Sequence, residues 1–230
     1  LLTAEVNAAV DGLLAAGATE VLVLDMHGSG GIWFPDLHPA ARLMHGRPLA
    51  PQHVRDAIYQ TYDVAVMIGQ HAMAGVADGN LAHTQSSRAI DRYTLNGKPI
   101  GEIGQWVLYC GALGLPMIFL SGDQAACAEV EDLIPGVTTA AVKQGLSRNS
   151  AISLSKEASR ELIRERIELA VERHQEEPIA PVVWEPPYVL EKRFFHTDTA
   201  DRAAEQPDVE RVDSQTVRLR SDTLLDLIYR

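Results

Sequence analysis

A chain of 230 residues that is 46% hydrophobic and 22% charged has the size and apolar content of one large domain, or of one domain with an appendage, which excludes general disorder. Lys and Arg number 20 against 31 Asp and Glu, a net charge of -11, so nucleic acid is excluded as the leading partner. No apolar run approaches the ~18 residues of a membrane span, and no membrane partner is expected.

Thr3 reads as an N-cap, and Val6, Ala9, Val10, Leu13 and Leu14 follow at helical spacing until Gly17. Glu20 to Asp25 is a continuous apolar strand, and the Gly-rich loop Gly28-Ser29-Gly30-Gly31 follows it. A second helix over 51–62 leads to a strand over 64–68 that runs into Gly69-Gln70-His71. Ile103, Trp106, Val107 and Cys110 share a helical face before the strand Met117 to Leu120, and a helix over 123–133 precedes a strand over 137–142. Helices alternating with buried strands specify an α/β fold with a mostly parallel sheet flanked by helices.

The pattern changes after Asn149. Ser155 caps a charged helix that buries Ala158, Leu162, Ile163, Ile167 and Ala170. Four prolines between 178 and 187 enforce an extended connection, strands follow over 188–195 and 216–220, and Ser221 opens a last helix. Two parts are therefore expected: an α/β core over 1–150, and a smaller C-terminal α+β portion over 151–230. Cys110 and Cys127 form no C-x-x-C pair and read as small buried hydrophobes, which fits a reducing, cytoplasmic setting.

Several chemistries lack their carriers. There is no G-x-x-x-x-G-K-[ST] loop, Gly28-x-Gly30 lacks the third glycine of a dinucleotide fingerprint, and there is no H-E-x-x-H and no G-x-S-x-G elbow. What remains is placement. Asp25 and His27 sit just past the carboxyl end of one strand and His71 past another, at the edge where open α/β sheets gather ligands. Imidazole nitrogens and a carboxylate oxygen there suit zinc, and the same residues also read as satisfied polar groups at loop entrances. His83 lies in the loop after His71, and Glu102 follows Gly101 at a helix start. His38, His45, His53 and His174 lie in loops or on polar helix faces and carry no such placement.

Ordered motifs narrow the choice. Glu20-Val21-Leu22-Val23-Leu24-Asp25-Met26-His27, Ile68-Gly69-Gln70-His71-Ala72, Ala82-His83-Thr84, Asn96 to Glu102 in the pattern N-x-x-P-x-G-E, and the long run Glu131 to Lys143 resemble the M55 family of zinc-dependent D-aminopeptidases. The likeness covers 1–155 in order and is weak beyond Pro178. It implies an α/β enzyme with paired zinc ions that removes the N-terminal residue of short peptides and assembles into stacked rings. By position, the family's metal-binding histidines fall on His27 and His71, its metal-binding glutamate on Glu102, and its catalytic histidine on His83. The family's first strand also carries a D-x-E-G motif whose aspartate bridges the metals, and this chain has no such segment. A truncated piece of an active enzyme is the expectation, holding one zinc more readily than two. Two alternatives stand beside it: a non-catalytic relative that binds small peptides or amino acids, and a metallo-amidase acting on non-peptide amides.

Overall fold

The computed structural model describes residues 1–28 and 30–230, so Ser29 of the Gly-rich loop lies outside the described residues. The first helix, α1 (Leu2–Ala15), leads into β1 (Val21–Asp25), which pairs in parallel with β2 (Ala41–His45) as a two-stranded ribbon. Thr3 is not the N-cap. It sits inside the first turn, where its Oγ1 accepts the Trp33 N–H at 2.9 Å and ties α1 to the loop after β1.

The second sheet has four strands in the order β3 (Ala65–Gln70), β6 (Met117–Asp123), β7 (Thr138–Ser147) and β8 (Ser150–Ser153). The pairs β3–β6 and β6–β7 are parallel, and β8 closes the edge antiparallel. Three helices belong with it: α2 (Gln52–Tyr59), which enters β3, α3 (Glu102–Ala112), which enters β6, and α4 (Gln124–Leu133), which leaves it. The strand β6 is buried from end to end and divides its side chains between two cores. Ile118 and Phe119 face α1 and α5 (Lys156–Glu176), whereas Met117 and Leu120 face α3 and α4. Ser155 caps α5 as its sequence requires, accepting the Ala158 N–H at 3.1 Å.

The third sheet is antiparallel, in the order β10 (Glu210–Arg211), β11 (Thr216–Ser221), β9 (Tyr188–Phe194), β4 (Ile90–Leu95) and β5 (Lys98–Pro99), with α6 (Thr197–Ala203) between β9 and β10. Its core face closes over α3, so α3 is covered on both sides. The Pro-rich connection crosses α3 so closely that a Cβ on Gly111 would stand 1.9 Å from the Val182 carbonyl oxygen. The expected division at residue 150 is crossed by strand pairing, because β4 and β9 are neighbours, and by helix packing of α1 along α5. The parallel strands flanked by helices are present, but they share the fold with this antiparallel sheet, so two of the three sheets are wholly of one sense. The last helix expected after Ser221 is only a short 3₁₀ turn, Leu224–Asp226.

Cys110 and Cys127 are buried and unbridged, and burial pushes the Cys127 thiol up to about 12. Both behave as core hydrophobes. Among the described residues, no helix is long and apolar enough to cross a membrane.

Candidate metal centre

The parallel strand β3 ends at Gln70, which delivers His71 to the carboxyl edge of the four-stranded sheet beside β6. The next eighteen residues fold back over that edge before β4 begins. Two non-glycine residues of this loop adopt left-handed backbone conformations, Leu81 (φ 59°) and Gln85 (φ 56°). Both sit where contacts to the centre are made. The Leu81 carbonyl takes the His83 Nδ1 proton at 2.7 Å, and the Gln85 N–H donates to Glu102 Oε1 at 2.7 Å. The Gln85 side chain is itself fixed by Gln105 at 3.2 Å and by the Tyr93 hydroxyl at 2.8 Å.

Glu102 is the first residue of α3, where the helix dipole favours a charged carboxylate. Its Oε1 stands 3.8 Å from His71 Nε2 and 3.7 Å from His83 Nε2. Among the described residues, the His, Cys, Asp and Glu group whose ligand atoms lie within 4.8 Å of one another is His71, His83 and Glu102. The three side chains are partly sheltered, with exposures of 20%, 29% and 29%, so solvent and a small substrate can reach them.

The tautomers of both histidines follow from their partners. His71 Nδ1 faces the Ala72 carbonyl at 3.1 Å and His83 Nδ1 faces the Leu81 carbonyl. A carbonyl oxygen only accepts, so each Nδ1 carries a proton and each Nε2 is the nitrogen turned toward Glu102. Burial lowers the His71 pKa, and the neighbouring His83 adds to that against the raising effect of the Ala72 carbonyl and Glu102. Neutral imidazole is the ligating form. The two rings stack with centroids 3.9 Å apart and a tilt of 22°.

His27 is not among the three. It stands two residues past β1, on the ribbon that does not pair with β3, with its side chain 74% exposed. Its Nδ1 lies 3.0 Å from Asp25 Oδ1. Asp25, 2% exposed at the side chain, also accepts the N–H groups of His27, Gly31 and Ile32. Burial alone would raise the Asp25 carboxyl, but these hydrogen bonds outweigh it and hold the pKa below the ordinary range. Asp25 organises a loop and orients an imidazole. Trp33 and Phe34, just beyond, are 66% and 68% exposed.

The family model described as D-aminopeptidase, peptidase M55, matches residues 1–229. A D-aminopeptidase of Bacillus subtilis (strain 168) is 29% identical over 228 residues, which are 98% of this chain and 81% of that relative. A solved structure described as the Zn-dependent D-aminopeptidase DppA from Bacillus subtilis, a self-compartmentalizing protease, superposes with a TM-score of 0.88 at 28% identity. That match covers 99% of this chain and 82% of the other.

Proposed function

Because the chain belongs to the peptidase M55 family of D-aminopeptidases, we propose that it is a zinc-dependent aminopeptidase that cleaves the N-terminal residue from short peptides, D-residues among them. One observation carries the reading. The Nε2 atoms of two imidazoles lie 3.7–3.8 Å from one carboxylate oxygen, and each ring's Nδ1 is committed to a backbone carbonyl. A cation can sit among three ligand atoms so placed, and N,O ligation of this kind suits zinc.

The stack supports different roles for the two histidines. In-plane lone pairs from rings 3.9 Å apart and tilted by 22° do not aim at one point in this arrangement, which favours a single ring at the ~2.1 Å of a zinc–nitrogen bond. One ring ligates while the other lies beside it. His71, the more sheltered and held neutral by burial, takes the ligand role with Glu102. His83, at the outer side of the stack, holds or releases a proton at Nε2, positioned to serve the leaving amine. His27 presents Nε2 outward with Nδ1 on Asp25, the carboxylate–histidine pairing that supports zinc ligands elsewhere, and we assign it to a second ion of the pair. Bound zinc would supply an acidified water, since it lowers the pKa of water from 15.7 to about 7.

Dialysis against a chelator should abolish release of free amino acid from D- and L-alanyl peptides, and stoichiometric zinc should restore it. Zinc-loaded protein that binds such peptides without cleaving them would identify a binding module instead, and turnover of non-peptide amides alone would identify an amidase.

The relative described as self-compartmentalizing supports assembly of this chain with copies of itself into a closed ring, in which the exposed Trp33 and Phe34 offer an aromatic anchor. Sedimentation at micromolar concentration should give a mass several times that of the monomer, and a monomer at that concentration would sink the ring.

A further inference from the structure

Glu129 is a carboxylate on the inward face of α4, at helical spacing with the buried Ala126 and Val130 and with Leu133. Its Oε2 accepts the Met73 N–H at 2.8 Å, two residues beyond His71. Its Oε1 is buried without a hydrogen-bond partner and lies against Gly101, the residue before Glu102. The fit there is tight. A Cβ on Gly101 would come within 2.8 Å of Oε1 and 2.6 Å of the Met73 Cβ. Burial, reinforced by Asp123 and Glu102 and opposed by the backbone N–H groups of Met73 and Gly101, pushes the Glu129 carboxyl up to about 7.

A half-satisfied buried carboxylate is a costly way to pack a helix, and an apolar side chain would serve α4 better. Its position explains it. The main chain that carries His71 and the main chain that carries Glu102 meet on this one side chain. Asp123, at the junction of β6 and α4, grips the same loop further along, accepting the Asn80 N–H at 2.5 Å while it caps α4 through the Ala126 N–H at 2.8 Å.

We propose that Glu129 is a positioning residue that sets the separation of His71 and Glu102 by joining the backbone beside each. This rests on the zinc reading of that pair. The effect reaches the metal through main-chain geometry, since Glu129 accepts from the backbone of Met73 rather than from either ligand side chain.

The test is zinc affinity of the full chain, measured by competition with a chelating dye, together with the melting temperature of the chelated protein. Glu129→Ala should weaken zinc by ~10–100-fold, the range found when outer supports of metal ligands are removed. Glu129→Gln keeps an acceptor for the Met73 N–H at the same reach and should stay within about threefold of the unaltered chain. Gly101→Ala keeps the Glu129 carboxylate but sets a methyl against its Oε1 and against Met73, prising the two segments apart, and should weaken zinc as Glu129→Ala does. Unchanged affinity in Glu129→Ala overturns the proposal. So does an equal loss in Glu129→Gln, which would mean that the negative charge, and not the tether, matters. If Glu129→Ala fails to fold, Gly101→Ala decides: a folded Gly101→Ala with undiminished affinity overturns the proposal. Absence of zinc binding in the unaltered chain would instead overturn the zinc reading, and this inference with it.

Discussion

Replacing His71 or Glu102 by Ala is expected to remove zinc from the trio and to lower peptide turnover by more than ~10³-fold, about 4 kcal/mol of transition-state stabilisation. The loss is large because each residue supplies a ligand that nothing nearby replaces. In the proposed reading His83 stacks beside His71 rather than joining it as a ligand. Neither side chain is deep in the core, at 20% and 29% exposure, so water can fill the vacated space and the chelated proteins should melt close to the unaltered one. His71→Ala should even raise the melting temperature slightly in chelator, since it removes a lone pair that faces the Glu102 carboxylate. Inductively coupled plasma analysis and amino-acid release, measured on the same samples, check both halves. Full zinc content in Glu102→Ala would remove the carboxylate from the ligand set.

His83→Ala should behave differently. Its Nε2 reaches the same carboxylate at 3.7 Å, yet its ring lies over His71 and not in line with it. Turnover should fall by ~10²–10⁴-fold, the usual contribution of a placed proton carrier, while zinc content stays within a factor of about two. The defect should be concentrated in kcat rather than KM, because a proton delivered to the leaving amine matters in the transition state and little in substrate binding. Parallel loss of zinc and turnover would make His83 a ligand.

The alternation of helices and buried strands was legible because the parallel strands carry unbroken apolar runs, as in Val21 to Leu24 and Met117 to Leu120. The antiparallel sheet was only half legible. β4 buries Ile90, Tyr93 and Leu95, and the register shift between Ile90 and Arg92 breaks the period of two by which a half-buried strand is recognised. β2 shows no fully buried residue at all, so its short run gives no apolar signal. Local pattern placed His71 just past β3 and Glu102 at the start of α3, whereas His27, past a strand end by the same pattern, stands apart from them, and the ligand roles came from the family resemblance. The contacts that aim them were not legible. The Gln85 N–H on Glu102 depends on a left-handed residue seventeen positions upstream, and no periodicity encodes it. Glu129 did leave a trace: a carboxylate in phase with Ala126, Val130 and Leu133 sits on a stripe otherwise made of small and aliphatic side chains.

Among the described residues, both imidazoles of the centre are hydrogen-bonded through peptide carbonyls, those of Ala72 and Leu81, and not through side chains. Which ring nitrogen stays bare is therefore written into the path of the main chain. Side chains around the loop can drift over many generations without shifting a proton from one nitrogen to the other, provided that the two carbonyls keep their direction. Insertions or deletions between 72 and 83 are a different matter, because they rotate a carbonyl and with it the electronic state of a ring. Tolerance to substitution and intolerance to changes of length are two faces of the same anchoring.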